Sequence, residues 1–444
     1  MDRKIALVLL LSLATRIAYL FFNKNIWWDA AVYLSMGKFL FTFGQFGLWE
    51  PIRPLAWPFL LGYGFILGLD PVIWGHILST AFSLGTIYLT YEIARKLTTD
   101  RAALLASILL SLTWVFFFFN SLLYTEIPAI FFGLCAYYCF LKDKPFHTGL
   151  FVGLAFLTKF PMGIFLIIFG IFFLKPFKRV IFMLFAFFII TLPYFVFNTL
   201  AYGSPFTVLL FAQEFLQYAG IWIFQQPWWY YAVELVKQNI VYLFAIPGSI
   251  LALKKKRYAL VLLTIVPLLY FSHLAHKEVR FVILFLPFLA IIAAYGYDRI
   301  FKETESFIAI ALLFFILNFS ITPAVTNDYF TFFDGKDIEG EILVTHPLSA
   351  YYAEKAVIPL YYPWFNASQA TYWISYITSS PPEFVAIDTC EGGLLCPPDD
   401  EPCEGKKQDL LTFLDEEYTT VWNKTSPTCT YVIYQSTDTS VLTN

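Results

Sequence analysis

The sequence predicts a polytopic α-helical membrane protein that carries a small α/β domain at its C-terminal end. Of its 444 residues, 59% are apolar and 14% are charged, a balance too apolar for an ordinary soluble enzyme. Apolar runs of about 17–25 residues recur from residue 5 to residue 323, and a helix of this length crosses a hydrocarbon core about 30 Å thick. The remainder is more polar, so we predict a transmembrane domain at residues 1–323 and a soluble domain at residues 324–444.

The placement of lysine and arginine predicts eleven transmembrane spans. Basic clusters recur between the apolar runs, and such clusters collect on the cytoplasmic side of a membrane. The N-terminus is then cytoplasmic and the C-terminal domain extracytoplasmic. The first run has no cleavage site of small residues after it, which favours an uncleaved helix over a signal peptide. The predicted spans fall near residues 4–22, 71–94, 102–119, 126–141, 147–160, 161–174, 180–200, 236–253, 258–274, 281–297 and 306–323.

Residues 145–174 form one apolar run with basic residues at both ends, and a single span would place those ends on opposite sides. The segment Lys159-Phe160-Pro161 interrupts this run, and proline favours the start of a helix over its interior. We therefore predict a helical hairpin with Lys159 at its outward tip. Each arm reaches only about 20 Å at about 1.5 Å per residue, so the tip is expected in a cavity below the outer surface.

Two long extracytoplasmic loops are predicted. Residues 23–70 are too polar and interrupted to form a span, and we expect helices at the membrane interface there, one with Asp29 as its N-cap and another beginning near Arg53. Residues 202–234 are rich in tryptophan and tyrosine. An aromatic belt is favoured there over a platform for sugar rings, because these side chains are enriched at all membrane interfaces.

The C-terminal segment is predicted to be an α/β domain, because β-like runs near residues 342–345, 384–387 and 431–434 alternate with helical patterns near 349–355 and 408–418. Asn366 and Asn423 begin glycosylation sequons. Four cysteines predict two disulfides, with three pairings possible. Both features indicate an oxidising, extracytoplasmic compartment. The four cysteines are Cys390, Cys396, Cys403 and Cys429.

Acidic and basic residues gather at the predicted outer ends of the spans, where a charge is costly and its presence indicates a function. Release of a group from a phosphate-linked lipid requires a base for the acceptor proton and cations for the departing phosphate. Asp29 suits the base, with a plain helix cap as the alternative. Arg53, Lys159 and Arg280 suit the phosphate, although interfacial snorkelling also explains the two arginines.

The sequence contains no phosphate-binding glycine loop, no zinc-ligand spacing and no H-E-x-x-H helix. Two acidic segments, at residues 337–341 and 399–401, contain carboxylates that suit Ca²⁺, but solvated acidic surface is the commoner explanation in an external domain. We therefore predict no cofactor and no bound metal.

Two segments near the N-terminus resemble motifs of the GT-C superfamily of polyprenyl-phosphate-sugar glycosyltransferases. Trp27-Trp28-Asp29 resembles the acidic motif of the family's first loop. Arg53-Pro54-Leu-Ala-Trp57-Pro58 resembles the basic-proline motif of the protein O-mannosyltransferase and lipid A aminoarabinose transferase branch.

Two later segments extend the resemblance. Gly153-Leu-Ala-Phe-Leu-Thr-Lys159-Phe-Pro161 resembles the G-L-A-x-L-T-K-x-P signature of the same branch. His276-Lys277-Glu278-Val-Arg280-Phe281 is similar to the H-K-E-x-R-F motif of the dolichol-phosphate-mannose mannosyltransferases. The resemblance covers about residues 5–300.

The resemblance implies a GT-C fold and an inverting transferase that takes a sugar, such as the hexose mannose, from polyprenyl or dolichyl phosphate. It implies Asp29 as catalytic base and Arg53 at the lipid phosphate. Glu126 occupies the place of a second-loop acidic residue. The motif residues His276, Lys277 and Glu278 are expected at the substrate. The implied partners are the lipid donor, a glycan, lipid or protein acceptor and membrane lipids, with no nucleic acid, in the cell membrane of an archaeal-like prokaryote or in the ER membrane.

The sequence departs from the family pattern in two ways. Asp29 is alone where some relatives carry an acidic pair, and motifs of two branches occur in one chain. The identity of the sugar and of the acceptor therefore stays open. A multi-pass transporter or flippase is the main rival, with the break at Lys159 as its one hint. An oligosaccharyltransferase-like subunit is disfavoured by the lack of a W-W-D-Y-G motif. The transferase hypothesis predicts that Asp29, Arg53 and Lys159 line one wet pocket at the outer leaflet.

Overall fold

The computed structural model describes residues 2–218, 224–322, 328–362, 365–390, 393–425 and 429–437. Most of the described chain is helical, and the strands come from its last third. The helices are α1 (Arg3–Leu20), α2 (Trp28–Phe41), α3 (Ala56–Ile66), α4 (Pro71–Leu97), α5 (Asp100–Ser111), α6 (Trp114–Phe119), α7 (Glu126–Phe140), α8 (Pro145–Thr158), α9 (Ile164–Phe173), α10 (Lys178–Tyr202), α11 (Thr207–Tyr218), α12 (Tyr230–Gln238), α13 (Ala245–Lys254), α14 (Tyr258–His273), α15 (Leu286–Ile300), α16 (Thr304–Asn318), α17 (Pro347–Tyr352), α18 (Ala367–Ser379) and α19 (Glu401–Glu417). The strands are β1 (Ile342–Val344), β2 (Val357–Pro359), β3 (Phe384–Asp388), β4 (Tyr418–Thr425) and β5 (Thr430–Ser436).

The chain forms two compact units. The first unit contains Met1–Asn25, Pro54–Trp57 and Gly75–Ala324, and the second contains Ile26–Arg53, Pro58–Trp74 and Val325–Asn444. The second unit therefore combines the predicted C-terminal domain with most of the predicted first loop.

Each of the eleven predicted spans contains helix, but several of these helices are short or broken. Among the described residues, two helices are long and apolar enough to cross a membrane, α4 and α10. A third span is possible if α12 and the helical segment Ile240–Lys254, bent at 119° to one another, act as one. The count of eleven spans stays a prediction.

Helix α10 exposes a row of large apolar side chains, among them Phe182, Phe185 and Leu192. Contiguous apolar surface of this kind is unfavourable in water but favourable against lipid tails. The exposed face of α10 agrees with the membrane class that the composition predicts.

Small residues bring helices of the first unit into close contact. A side chain built on Gly149 of α8 would collide with the backbone carbonyl of Met183 in α10, and one built on Gly248 of α13 would collide with the carbonyl of Ile292 in α15. Glycine at such positions allows two helix backbones to approach closely, as in other membrane helix pairs. Helix α15 is buried along nearly its whole length and forms the centre of this unit.

The second unit contains a five-stranded sheet in the order β2-β1-β3-β5-β4. Strands β1, β2 and β3 are parallel, while β5 runs antiparallel to β3 and β4. Apolar side chains of α18, α19 and the sheet form its core. This architecture confirms the predicted α/β domain.

Disulfides join Cys390 to Cys429 and Cys396 to Cys403. The predicted two disulfides are confirmed, and one of the three possible pairings is selected. The first bridge links the end of β3 to the start of β5, and the second closes the segment that enters α19.

Helix α2 of the first loop is bound to the C-terminal part of the second unit. Lys38 at its end donates a hydrogen bond of 2.7 Å to the carbonyl of Ala353. Gly47 pairs with Ala356 in a parallel bridge just before β2. These contacts hold the first loop on the α/β fold, an arrangement that the sequence analysis did not predict.

Candidate functional site

Three charged side chains of the second unit, Asp29, Glu50 and Arg53, form what we call the Asp29 cluster. Arg53 Nη2 lies 2.9 Å from Asp29 Oδ1, and Arg53 Nε lies 2.9 Å from Glu50 Oε2. The spacing of Glu50 and Arg53 allows one turn of chain to bring them together, with the Arg53 N–H donating to the Glu50 carbonyl at 3.2 Å. One guanidinium therefore holds two carboxylates.

The predicted N-cap role of Asp29 is wrong. Helix α2 begins at Trp28, its N-cap is Trp27, and Asp29 lies within the first helical turn. A carboxylate in this turn is stabilised by the positive end of the helix dipole. The helix thus fixes the backbone of Asp29 while Arg53 fixes its side chain.

The Asp29 cluster is largely removed from solvent. Asp29 is 7% exposed and Glu50 is 1% exposed. Burial alone lowers the pKa of Arg53, but the charges of Asp29 and Glu50 outweigh it and raise that pKa well above its ordinary value. Arg53 therefore stays cationic. Its guanidinium carbon lies 5.5 Å from the centre of the Tyr33 ring, which adds a cation–π interaction.

The Asp29 cluster lies beside the carboxyl ends of the parallel strands. Tyr361, two residues after β2, donates a 2.6 Å hydrogen bond to Glu50 Oε1. The Trp28 ring packs 4.8 Å from the Tyr361 ring and 4.7 Å from the ring of His346, two residues after β1. In open α/β sheets, ligands bind outside the carboxyl ends of strands where the strand order reverses, and the order β2-β1-β3 makes β1 such a position.

A second group of charged residues lies in the first unit and forms what we call the Lys159 cluster, made of Lys159, Glu126, Arg280, Glu278 and His276. Glu126 Oε1 lies 2.7 Å from Lys159 Nζ and 3.5 Å from Arg280 Nε. Glu278 Oε1 lies 2.5 Å from Arg280 Nη2 and 2.9 Å from His276 Nε2. Two cations thus alternate with two carboxylates.

The backbone around Lys159 explains why this residue reaches the cluster. Helix α8 ends at Thr158, Lys159 adopts an extended conformation with φ −155°, and a 3₁₀ turn at Phe160–Gly163 follows. Pro161 cannot donate the hydrogen bond that a continuous helix would need. The predicted break is confirmed.

Aromatic rings enclose the cations of the Lys159 cluster. Arg280 lies 4.7 Å from the centre of the Tyr124 ring, and Lys159 lies 5.1 Å from that of Phe281. The Glu126 side chain is 1% exposed. Its Oε2 atom has no hydrogen-bond donor within the described part of the chain. A buried acceptor of this kind is suited to a hydroxyl or water that enters the cluster.

Lys277 lies outside the Lys159 cluster, although it belongs to the same sequence motif. Its ammonium group donates to the backbone carbonyls of Gln226 and Leu274, and its backbone N–H donates to the carbonyl of Phe224 at 3.0 Å. Burial lowers the pKa of Lys277. These contacts join two loops, and the predicted contact of Lys277 with substrate stays a prediction.

The structure thus brings Asp29 and Arg53 together, and brings Lys159, Glu126, Arg280, Glu278 and His276 together. That Asp29, Arg53 and Lys159 line one pocket stays a prediction, as do the roles of all these residues.

Glu50 and Tyr361 were not predicted as site residues. The spacing of Glu50, three residues before Arg53, was a sequence signal that could have identified Glu50 as a site residue. No sequence signal marks Tyr361. Of the aromatic loop at residues 202–234, Trp222 lies outside the described residues.

No group of three or more metal-ligating side chains occurs within the described ranges. Neither acidic segment, 337–341 or 399–401, forms such a group there. The prediction of a metal-independent protein is left untested.

A family model described as dolichyl-phosphate-mannose-protein mannosyltransferase matches residues 53–202. This range includes Arg53, Glu126 and Lys159. No curated protein sequence matches the chain.

Solved structures of glycosyltransferases have a similar fold. The ArnT of Cupriavidus metallidurans bound to undecaprenyl phosphate is 15% identical with a TM-score of 0.57, over 66% of this chain and 60% of ArnT. The oligosaccharyltransferase of Archaeoglobus fulgidus is 12% identical with a TM-score of 0.60, over 98% of this chain and 74% of that one. The arabinofuranosyltransferase AftD from mycobacteria is 11% identical with a TM-score of 0.60, over 98% of this chain and 40% of AftD.

The chain has the GT-C glycosyltransferase fold. The matched family model covers residues 53–202, a range that includes the motif at Lys159. The resemblance and the fold class that the sequence predicted are confirmed. The chain spans about 60% of the length of ArnT.

Proposed function

We propose that this protein is an inverting glycosyltransferase that moves a sugar from a polyprenyl or dolichyl phosphate to an acceptor on the extracytoplasmic side of a membrane. The observation that carries the proposal is the buried pair of Asp29 and Arg53, at 2.9 Å. A carboxylate that a guanidinium keeps ionised and in place can accept the proton of a hydroxyl. The matched family description and the GT-C fold support the same reaction.

Asp29 is the catalytic base in this proposal. It accepts the proton of the acceptor hydroxyl while that oxygen forms a bond to the anomeric carbon of the donor sugar. The bond from this carbon to the phosphate oxygen breaks in the same step, and the lipid phosphate leaves with the electron pair. A single displacement inverts the anomeric configuration.

Arg53 has a double role, since a guanidinium has five N–H donors. Two of its nitrogens hold Asp29 and Glu50, and further donors of the same fork suit the oxygens of a phosphate. The leaving phosphate already carries charge, so it needs positive charge more than it needs a proton.

The Lys159 cluster supplies two cations of the type that stabilises a departing phosphate, Lys159 and Arg280. Glu126 and Glu278 hold these cations in position at distances of 2.5–3.5 Å. Glu126 Oε2 and His276 are suited to hydrogen bonds from substrate hydroxyls. We assign Arg280 and Lys159 to the donor phosphate and the other three residues to the substrate.

The sugar is proposed to be a hexose such as mannose, and the acceptor a lipid-linked glycan or a protein. The matched family description supports mannose. The solved relative AftD, which is named as an arabinofuranosyltransferase, sets a pentose as the competing choice.

The test is transfer by purified protein in vesicles supplied with radiolabelled polyprenyl phosphate sugars, one sugar at a time. We expect one labelled sugar to be released from its lipid and joined to an acceptor. A flippase would instead move the labelled lipid across the bilayer with its sugar-phosphate bond intact, and that result contradicts the proposal.

A further inference from the structure

Strand β4, Tyr418–Thr425, is the edge strand of the α/β sheet in the second unit. It pairs with β5 and with no other strand of the described residues. Most of its residues are exposed. An exposed edge strand offers unpaired backbone groups that other chains can bind, and proteins usually protect such edges.

The second sequon of the C-terminal domain, Asn423-Lys424-Thr425, lies within this strand. All three residues are exposed. Thr425 Oγ1 donates a 3.0 Å hydrogen bond to Asn423 Oδ1. The Thr425 hydroxyl thereby orients the Asn423 carboxamide by binding its oxygen. The carboxamide nitrogen, to which a glycan is attached in N-glycosylation, takes no part in this hydrogen bond. The segment is already extended, so a transferase can bind it without unwinding a helix.

The other sequons of the chain are engaged in structure. Asn366 is the N-cap of α18, where its Oδ1 accepts from the N–H of Gln369 at 3.0 Å, and the following two sequon residues belong to the helix. Asn318 at the end of α16 begins a further sequon, Asn318-Phe319-Ser320. Its Nδ2 donates to the carbonyls of Phe314 and Lys237 at 2.8 and 3.0 Å.

We propose that Asn423 is an N-glycosylation site of this protein and that its glycan covers the edge of β4. The donor is an oligosaccharide on a polyprenyl phosphate or diphosphate, and a separate transferase of the same compartment acts on it. The bond between the anomeric carbon and the phosphate oxygen breaks, and the carbon joins Asn423 Nδ2. The amide proton passes to a base of that transferase, and the lipid phosphate leaves with the electron pair.

The experiment is glycopeptide mass spectrometry of the full chain purified from membranes of its native host. We expect a glycan on the peptide that contains Asn423. Asn423→Gln and Thr425→Ala should both remove it, whereas Thr425→Ser should retain it because the hydroxyl is kept. Thr425→Ala leaves the asparagine in place and so separates loss of recognition from loss of the acceptor atom.

Asn366→Gln and Asn318→Gln are matched controls and should leave the glycan on Asn423 unchanged. An unmodified Asn423 overturns the proposal, whether glycans occupy the other two sequons or no glycan is present at all. This result is independent of the proposed transferase activity, since Asn423 lies outside both charged clusters.

Discussion

Tyr361 donates a 2.6 Å hydrogen bond to Glu50, a residue 311 positions earlier in the chain. Glu50 holds Arg53, and Arg53 holds Asp29. Burial and the charge of Glu50 raise the pKa of Tyr361 well above its ordinary value, so its phenol remains a donor over the physiological range. The α/β fold thereby positions the proposed base of the first loop.

Tyr361→Phe removes one hydroxyl from this chain of contacts and leaves the ring in place. We expect the transfer rate to fall by up to about 100-fold, the effect of a small misplacement of reacting groups. The KM for the lipid donor should change little, because Tyr361 is not assigned to the donor. Steady-state transfer kinetics at varied donor concentration provide the measurement.

Tyr372→Phe is the matched control, since Tyr372 is 54% exposed on α18 and lies outside the Asp29 cluster. It should leave both kinetic constants unchanged. If Tyr361→Phe behaves like this control, the positioning role of Tyr361 is wrong.

Lys159→Met removes a cation from the Lys159 cluster. Arg280, whose Nε lies 3.5 Å from Glu126 Oε1, is then the remaining cation of the cluster beside Glu126. We expect transfer to fall by about 100- to 1,000-fold, the cost typical of losing one group that stabilises a developing charge. Lys159→Arg should recover part of the rate because it restores the charge. Transfer assays on detergent-purified protein, normalised to folded fraction, measure both variants.

Lys406→Met is the surface control, because exposed Lys406 pairs with exposed Asp409 within α19. Such exposed pairs contribute little. Equal losses in Lys159→Met and Lys406→Met would mean that the charge of Lys159 has no part in transfer.

Gly149→Ala places a methyl group against the backbone of α10. Overpacking of this kind costs about 1–3 kcal/mol, since the two helices must separate. The thermal unfolding temperature in detergent should therefore fall. Gly405→Ala in α19 meets no atom within 4 Å and should be neutral or slightly stabilising, so a fall of equal size in both variants contradicts the packing account.

Chelation tests the expectation that fixed cations replace a metal. Dialysis against EDTA should leave the transfer rate unchanged, because Lys159, Arg280 and Arg53 supply the positive charge in the proposed mechanism. A loss of activity that Mg²⁺ or Mn²⁺ restores would show that the reaction needs a divalent cation.

The sequence predicted those features that depend on local chemistry. The break at Lys159 followed from a proline within an apolar run. Lys159 and Arg280 were both expected at the donor phosphate, whereas the position of Glu126 between them was learned from the structure. Two disulfides followed from the cysteine count, although their pairing required the fold.

Features that depend on distant contacts were not predictable in the same way. The hydrogen bond of Tyr361 to Glu50 joins segments whose proximity is set by the sheet, and no local pattern marks Tyr361. Strand β2 was missed because it is short and ends in a proline, Pro359, which is unfavourable in a strand. Strand β4 was missed because it is largely polar and exposed. The N-cap of α2 was misplaced by two residues, since tryptophan is an unusual N-cap.

The account depends most directly on Asp29 as the base. The measurement is sugar transfer by Asp29→Asn protein from the radiolabelled polyprenyl phosphate sugar that the wild-type protein uses, with folding checked by thermal unfolding. Loss of a general base predicts a rate lowered by about 100- to 10,000-fold in a protein that remains folded. Turnover of the folded variant at the wild-type rate would contradict the mechanism.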